Sequence, residues 1–300
     1  MKAVKRRSRI LQIVTRILAI FLLAVALLAV HCYAGREVDL LTTRYVIKTP
    51  KLKEGTSFRL VSLSDYHNHG LEYRNETLLE AIEKENPNAV MMTGDMIDSH
   101  TSKKDLETLD KLASFLEEKA FPTYFVSGNH EESAPKEIKE ASYSIYRKRG
   151  IAIVTGETGP IFLYSDGSSR VALFGFEDPG LYDEDKTGLK EGSKIYRQAE
   201  KMHLDEGDYN LLLSHEPCYF EAAKKKGFDL TLSGHTHAGQ ISLFNYPLLS
   251  WPWTKYERGS YTEKDHRLLI SNGLGDSYHL PFRYHCPYSL LSVTIVGTGH

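Results

Sequence analysis

The segment DLTLSGHTHAGQ, residues 229–240, ends an apolar run with two histidines one residue apart. Its first half has the short apolar pattern of a buried β-strand, and the Ser-Gly pair that follows is typical of a turn. His235 and His237 therefore stand directly after a predicted strand, on a turn made of small residues. This placement makes both imidazoles candidate metal ligands. Whether other ligands accompany them depends on the residues at the ends of the other predicted strands.

Four more apolar runs end in polar side chains of the same chemical kind. These ends are Asp65-Tyr66-His67, Gly94-Asp95, Gly128-Asn129-His130 and Ser214-His215. Predicted helices alternate with the early runs, among them the amphipathic segment 103–119, so we expect an α/β domain whose early strands are parallel. Because the carboxyl ends of neighbouring strands in an open α/β sheet share one edge, the five strand ends are expected to converge there.

The converging side chains are chemically suited to a metal centre. Aspartate, asparagine and histidine are ligands for divalent transition metals, and no cysteine is among them, which argues against a structural zinc site. The set holds more ligands than one ion requires, which indicates two ions. A single Gly-Asp or Ser-His pair is more typical of a turn or a helix cap, but five strand ends drawn from one ligand set favour the metal interpretation.

Three regions follow from the pattern along the chain. Residues 1–34 form a basic stub and an apolar targeting segment, and residues 35–56 form a connecting arm with one candidate strand, TRYVIKT. Residues 57–300 have no linker-like composition and are predicted to be one domain. Its later strands lack long helices between them, so part of the sheet system is expected to be antiparallel.

The start of the chain carries a targeting signal that permits two interpretations. A basic cluster precedes the uncharged run Ile17–Val30, which becomes long enough to cross a bilayer when it is counted from Ile10. A cleaved signal peptide fits the CYA sequence at residues 32–34, whereas the extended length favours a retained anchor. Lipidation of Cys32 is disfavoured, because His31 replaces the small residue expected before it. In either case the basic flank predicts that the remainder lies outside the cytoplasm.

Charge and cysteine content exclude some functions. Of the 37 basic and 39 acidic residues, six basic and no acidic ones lie in residues 1–34, so the remainder carries a formal charge of −8. A basic groove is therefore not predicted, and nucleic acid is not an expected partner. Cys218 and Cys286 permit a disulfide outside the cytosol, but two unpaired thiols are the preferred interpretation.

The ordered blocks SDYHN, GDMID, GNHE, SHEP and GHTHAGQ resemble the motifs of the calcineurin-like metallophosphoesterases. They span Asp65 to Gln240, and the tail at residues 271–295 resembles a bacterial, membrane-associated branch in which a glycine-rich loop and an arginine follow the last block. With this tail the resemblance covers roughly residues 45–296. It implies an α/β fold of two mixed β-sheets packed face to face, with helices on both outer faces.

The resemblance assigns seven metal ligands to two adjacent ions that share one carboxylate. Asp65, His67 and His237 would hold the first ion, Asn129, His215 and His235 the second, and Asp95 would bridge them. These ligands suit manganese, iron, zinc or nickel. A pair of such ions would promote attack of a bridging hydroxide on a phosphate ester or pyrophosphate.

The same resemblance gives expectations for residues around the ions. His130 is expected to face the substrate as a catalytic group, and Asp98 matches a carboxylate that orients this histidine in related protein phosphatases. A helix N-cap is the alternative for Asp98. His69 and Arg283 are candidate substrate contacts, with an exposed loop histidine and a surface arginine as the alternatives.

The expected function is that of a membrane-associated, extracytoplasmic phosphoesterase acting on small or lipid-linked esters. The aromatic segment Tyr246–Tyr256 would form an apolar lip or rest on the membrane interface, unless it is buried against the sheets. A nucleotide or protein phosphatase is the alternative enzyme, although Ser99-His100 replaces the Arg-Gly of protein phosphatases. A catalytically silent metal-binding scaffold is the alternative from another class, and such a scaffold would be expected to lack ligands or His130.

Overall fold

A computed structural model describes residues 2–34, 39–67, 72–180, 185–243, 246–248, 255–276 and 283–299. Seven α-helices are described in these ranges: α1 Lys2–Ala34, α2 Glu72–Glu85, α3 Lys103–Glu118, α4 Asn129–Ser133, α5 Lys136–Lys148, α6 Lys194–Lys201 and α7 Phe220–Lys226. Two 3-10 helices, Pro217–Tyr219 and His237–Gly239, lie at the last two histidine motifs of the chain, SHEP and GHTH.

Fourteen strands are described in the same part of the chain. The first seven are β1 Leu40–Lys53, β2 Ser57–Leu63, β3 Ala89–Thr93, β4 Thr123–Val126, β5 Ala152–Ile153, β6 Ile161–Ser165 and β7 Arg170–Gly175. The others are β8 Tyr209–Leu213, β9 Leu230–Ser233, β10 Ser242–Leu243, β11 Tyr246–Pro247, β12 Gly259–Glu263, β13 His266–Ile270 and β14 Tyr288–Gly299.

The strands form two six-stranded mixed sheets and one small hairpin. The first sheet has the order β1-β14-β2-β3-β4-β5, in which only the β14–β2 pair is antiparallel. The second has the order β12-β13-β9-β8-β7-β6, with antiparallel pairs at its two edges. The predicted pair of mixed sheets is therefore confirmed, and the early strands β2 to β5 are parallel as expected.

Apolar side chains fill three layers around the sheets. Leu60 and Met91 of the first sheet and Leu173, Leu211 and Leu230 of the second belong to one buried cluster between the two sheets. Each fully buried side chain of this size contributes about 1.5–3 kcal/mol to the free energy of folding. Because parallel strands between two layers are buried on both faces, their sequences read as continuous apolar runs.

The helices cover the outer faces of both sheets, as predicted. Helices α2, α3 and α5 pack on the first sheet, where Leu109, Leu112 and Tyr146 are buried. Helices α6 and α7 pack on the second sheet through residues such as Ile195 and Phe220. The architecture is thus a helix–sheet–sheet–helix sandwich, with the carboxyl ends of the central strands of both sheets facing the same edge.

The candidate strand in the connecting arm is longer than the TRYVIKT segment. Strand β1 covers Leu40–Lys53 and lies at the edge of the first sheet, where it pairs in parallel with β14 over almost its whole length. Residues 40–53 are thus part of the sheet, while the division of the chain at residue 57 remains a prediction.

Helix α1 precedes this strand. Its segment Leu11–His31 has a mean hydropathy of 2.8 and none of its side chains is buried against the rest of the chain, so its length and composition suffice to cross a membrane.

Candidate metal centre

The candidate ligands lie at the carboxyl ends of five strands, as the sequence predicted. Asp65 follows β2, Asp95 follows β3 and Asn129 follows β4 in the first sheet. His215 follows β8 and His235 follows β9 in the second sheet. Because both sheets contribute, the candidate centre lies across the edge where the two sheets meet.

The backbone at these strand ends adopts a conformation that few residue types tolerate. Five candidate ligands have a left-handed φ, namely Asp65 (50°), His67 (46°), Asp95 (53°), His235 (73°) and His237 (49°). Aspartate and histidine adopt this region several times more often than most other non-glycine residues. These residues turn the chain directly after β2, β3 and β9, where the candidate ligands of the two sheets meet.

Glycines let the strand ends approach one another. A Cβ atom added to Gly234 would lie 1.8 Å from Ser64 Oγ and 2.3 Å from Asp65 Oδ2. A Cβ atom on Gly94, whose φ is +85°, would lie 2.6 Å from His215 Nδ1. Real Cβ atoms do not approach other atoms so closely, so each glycine is required where strand ends of the two sheets meet.

The first group of candidate ligands is compact and buried. The Nε2 atoms of His67 and His237 are 3.1 Å apart, and their rings are stacked with centroids 5.0 Å apart. His237 Nε2 lies 3.7 Å from Asp65 Oδ1, and the three side chains offer ligand atoms within 4.8 Å of one another. The structure thus brings Asp65, His67 and His237 together, as expected from the sequence.

The second group lies beside the first. His235 Nδ1 is 2.8 Å from Asn129 Oδ1, and His215 Nε2 is 2.9 Å from Asp95 Oδ2. The rings of His215 and His235 meet edge to face, with centroids 5.2 Å apart. The two imidazoles of the GHTH motif therefore diverge, one towards each group, and Asp95 reaches the second group while its backbone C=O accepts from the N–H of His67 at 3.1 Å.

The donor set fits a pair of divalent cations. His215 Nδ1 is 2.7 Å from the Thr93 carbonyl, to which it donates, so a neutral imidazole directs the lone pair of Nε2 at Asp95 Oδ2. Two acceptors face each other at 2.9 Å only when a proton or a cation lies between them. The oxygen and nitrogen ligands, without thiolates among them, are of the kind that first-row transition metals accept.

Charges and burial act together on the titration of these groups. Burial opposes the charge of Asp95, but the neighbouring His215 and His130 outweigh it and hold the pKa of Asp95 below its usual range. Burial also opposes protonation of His215, yet the Asp95 carboxylate raises the pKa of this imidazole. Burial and the Arg283 guanidinium hold the pKa of His237 well below its usual range, which favours the neutral form that binds metals.

His130 lies beside the candidate ligands but is more accessible than they are. Its side chain is 33% exposed, and its ring meets that of His67 edge to face with centroids 4.9 Å apart. Its backbone N–H donates to Asp95 Oδ1 at 2.9 Å, and its Nε2 is 4.0 Å from Asp95 Oδ2. His130, His67 and Asp95 also form a group with metal-ligand spacing, although the sequence predicted a substrate-facing role for His130.

Asp98 contacts the centre through His67. Its Oδ2 lies 3.7 Å from His67 Nδ1, and its Oδ1 accepts from the His100 N–H at 2.7 Å. Helix α3 begins three residues after His100, at Lys103, with Ser102 as its N-cap and Asp105 as the capping-box partner, so Asp98 is not that cap. The predicted orientation of His130 by Asp98 remains a prediction, since the contact that the structure gives is with a candidate ligand.

Of the two candidate substrate contacts, His69 and Arg283, the structure describes only Arg283. His69 lies outside the residues that the structure describes. Arg283 is completely buried, with Nη2 2.9 Å from His237 Nδ1 and a second hydrogen bond from Nη2 to the Gly275 carbonyl. The surface alternative for Arg283 is therefore wrong, and its guanidinium lies directly behind a candidate ligand. A cation on His237 Nε2 would leave a hydrogen on Nδ1, so Arg283 would then direct its N–H elsewhere.

Glu131 is a structural residue of the centre that the sequence analysis did not single out. Its Oε2 accepts from the backbone N–H groups of Asp95 and Gly128, each at 2.8 Å. Its Oε1 accepts from Met96 N at 2.7 Å and Ile97 N at 3.3 Å. Burial raises the pKa of Glu131 to about 7, and the nearby Asp95 carboxylate acts in the same direction. Its position three residues after Gly128, a capping-box spacing, is the signal that would have found it.

Comparisons with known sequences agree with the motif pattern. The sequence model of the calcineurin-like phosphoesterase domain matches residues 58–239, well over half of the chain. An uncharacterized metallophosphoesterase of Aquifex aeolicus is 28% identical over 263 residues, which cover 86% of this chain and 92% of that protein. The uncharacterized protein YpbG of Bacillus subtilis is 27% identical over 286 residues, which cover 94% of this chain and 97% of that protein.

Two further similarities come from Danio rerio. A transmembrane protein with metallophosphoesterase domain is 26% identical over 270 residues, which cover 87% of this chain and 59% of that protein. Among solved structures, a dimetal phosphatase superposes with a TM-score of 0.42 at 14% identity, covering 73% of this chain and 87% of that chain.

Proposed function

The chain belongs to the calcineurin-like phosphoesterase family of metal-dependent phosphoester hydrolases, and we propose that it cleaves a phosphate ester or pyrophosphate outside the cytoplasm. The observation that carries this proposal is the convergence of seven candidate ligand side chains, with oxygen and nitrogen donors, from both sheets at one edge. Two divalent ions, when bound there, would stabilise charge on the phosphoryl oxygens and activate a water molecule for in-line attack on phosphorus.

The proposed division of ligands follows the two groups in the structure. Asp65, His67 and His237 would hold one ion, and Asn129, His215 and His235 the other. Asp95 is the proposed shared ligand, because its carboxylate touches the second group and its backbone is hydrogen-bonded to the first. The ligand set is compatible with manganese, iron, zinc or nickel.

The proposed catalytic side chain is His130. Because its imidazole is partly exposed above Asp95, it can reach a phosphoryl oxygen or a leaving oxygen of a substrate in the cleft. Burial lowers the pKa of His130, so a proton that it carries is readily given up to a leaving oxygen. Asp98 would support the arrangement by holding His67, whose Nδ1 it faces.

The proposed location rests on helix α1. Its apolar segment Leu11–His31 would anchor the chain, and the basic residues that precede it would stay on the cytoplasmic side. Residues 57–300 would then be the extracytoplasmic phosphoesterase domain, preceded by an arm that adds strand β1 to its first sheet. The related Danio rerio protein, which is called transmembrane, supports anchoring of this chain as well.

The test uses the full chain in detergent with added Mn²⁺ and a panel of mono-, di- and pyrophosphate esters that includes bis-p-nitrophenyl phosphate. We expect hydrolysis by the wild type and its loss in Asp95→Ala, while Asp265→Ala, which removes an exposed carboxylate in the β12–β13 turn, keeps wild-type activity. Activity that survives Asp95→Ala would refute the assigned chemistry. A metal-loaded wild type that cleaves no ester on the panel would instead favour the scaffold, and the metal content of the same preparation distinguishes that result from poor loading.

A further inference from the structure

The carboxyl-terminal end of helix α1 contacts the loop beside the candidate metal centre. His31, the last residue of the apolar segment, has its Nε2 2.7 Å from the hydroxyl of Tyr284. The two rings also meet edge to face, with centroids 5.6 Å apart. The apolar segment is 21 residues long, which corresponds to about 31 Å of helix and matches a hydrocarbon core of about 30 Å. His31 therefore stands at the outer boundary of that core.

Tyr284 lies close to the candidate ligands, because the residue before it contacts His237. Its backbone N–H donates to the Gln240 carbonyl at 3.1 Å, and its own carbonyl accepts from Ser242 N at 2.9 Å. The preceding residue, Arg283, lies 2.9 Å from His237 Nδ1. A single layer of backbone thus separates the end of the apolar helix from a proposed metal ligand.

The hairpin of β10 and β11, which adjoins the segment bonded to Tyr284, carries exposed apolar side chains. Strand β10 leads into β11, whose Tyr246 is 76% exposed, and the following Leu248 is 54% exposed. Leu248 N donates to the Ile241 carbonyl at 2.7 Å, so this short hairpin is hydrogen-bonded to the segment that binds Tyr284. A Cβ atom on Gly239 would lie 2.4 Å from Pro247 Cβ, which means that the hairpin packs directly on the turn of His237.

We infer that the outer leaflet of the bilayer covers Tyr246 and Leu248, and that the centre acts on a phosphoester carried by a lipid of that leaflet. Scattered exposed apolar residues need no partner elsewhere on a protein surface. Here they are continuous, through Ile241 and Tyr284, with the end of a membrane-crossing helix, at the depth where aromatic and aliphatic side chains enter the interface. This inference rests on the proposed function, because it assigns the substrate class of the same site.

The geometry favours a substrate that shares the membrane with the enzyme. A phosphate group on a lipid lies in the headgroup layer, which is the layer that the His31–Tyr284 contact places beside His237. Confinement of enzyme and substrate to one surface raises the effective concentration of the lipid ester, whereas a soluble ester has no such advantage. The contact thus acts as a positioning device that fixes the height of the centre above the bilayer.

The test compares two phosphodiesters that differ only in their tail. The full chain is reconstituted with Mn²⁺ in phosphatidylcholine vesicles, and release of p-nitrophenolate is measured from hexadecyl p-nitrophenyl phosphate and from methyl p-nitrophenyl phosphate. We expect kcat/KM for the hexadecyl ester to exceed that for the methyl ester at least about tenfold. Equal values in the wild type would overturn the inference.

Two variants test what causes the preference for the hexadecyl ester, and a third serves as the control. His31→Leu removes the contact to Tyr284 but keeps the helix apolar, and the pair Tyr246→Ser with Leu248→Ser removes the apolar surface. Each is expected to lower kcat/KM for the hexadecyl ester at least about fivefold and to leave the methyl ester unchanged. The matched control is Phe162→Ser, which removes a 48% exposed aromatic ring from edge strand β6 of the second sheet and should change neither value.

The outcomes separate this inference from the proposed function. Hydrolysis of the methyl ester without preference for the hexadecyl ester leaves the phosphoesterase in place and overturns only the lipid substrate. Loss of both esters in His31→Leu, or equal effects of Phe162→Ser, would also overturn it, because the contact would then serve folding and not docking. If the metal-loaded wild type cleaves neither ester nor any member of the wider panel, the proposed function fails as well.

Discussion

Replacement of Glu131 by glutamine tests whether one buried carboxylate holds the bridging loop in place. In the structure each carboxylate oxygen accepts two backbone N–H groups, Oε1 from Met96 and Ile97 and Oε2 from Asp95 and Gly128. A glutamine has only one acceptor oxygen, and its NH₂ group would face two N–H donors in either orientation of the amide. At least two hydrogen bonds are therefore lost, with little change in side-chain volume.

The expected cost follows from the charge of the acceptor. At about pH 8, above the raised pKa of Glu131, the carboxylate is ionised. A hydrogen bond to an ionised group contributes about 1.5–3 kcal/mol, so at this pH the loss of two amounts to about 3–6 kcal/mol of the free energy of unfolding. The Asp95 loop would also lose its anchor, and displacement of a catalytic group by about 1 Å can lower kcat about a hundredfold. We therefore expect Glu131→Gln to be destabilised and to lose activity even under conditions in which it is folded.

The measurement is urea unfolding of the full chain in detergent, followed by tryptophan fluorescence, together with kcat on bis-p-nitrophenyl phosphate. Glu132→Gln is the matched control, because the neighbouring carboxylate makes a partly exposed ion pair with Lys139 at 2.8 Å. Such a pair contributes about 0–1 kcal/mol. If the free energy of unfolding of Glu131→Gln lies within about 1 kcal/mol of the wild-type value and kcat is unchanged, the carboxylate does not organise the centre.

The remaining predictions concern the metals and the close approach of the strand ends. His235→Ala and His237→Ala should each lower the metal content by roughly half, measured by elemental analysis of the purified variants, because the two imidazoles belong to different groups. Activity should fall on treatment with a chelator or as the pH is lowered from neutral, and should return with Mn²⁺ at neutral pH. Protonated imidazoles do not bind metals, and His215, whose pKa is raised by Asp95, protonates before His237, whose pKa is lowered. Gly234→Ala should lower the melting temperature and kcat because its Cβ would overlap Ser64 and Asp65, whereas Gly159→Ala, with open space around it, should change neither.

The sequence predicted the fold because the central strands are short, apolar and buried on both faces. Strands β2, β3, β4, β8 and β9 each appeared as an apolar run with a polar end, and the structure places all five ends at the same edge. The pairing of β1 with β14 was not predicted, since nearly the whole chain separates them and no local pattern records such a contact. The same limit applies to Arg283, whose burial behind His237 depends on how the last loop folds back.

Residues that organise the centre without belonging to a ligand pattern were harder to find. Glu131 stands in the GNHE block, where acidic residues at the start of a helix are common, so its four backbone contacts could not be inferred from its identity. Gly94 and Gly234 have the sequence context of ordinary turn residues, although in the structure each lies against a side chain from the other sheet. Both cases depend on packing between segments distant in sequence.

The left-handed backbone at the candidate ligands changes how such motifs should be interpreted. Each non-glycine residue in this region costs roughly 1–2 kcal/mol, and five of the seven candidate ligands adopt it. The combined cost is comparable with the whole net stability of a typical domain, about 5–15 kcal/mol, so the surrounding sheets must impose the conformation. Aspartate, asparagine and histidine would be favoured at these turns even without a metal, because they tolerate a left-handed φ best. Turn chemistry and ligand chemistry thus select the same residue types. It follows that no single strand end in this chain indicates a metal, and that the inference depends on the meeting of five of them at one edge.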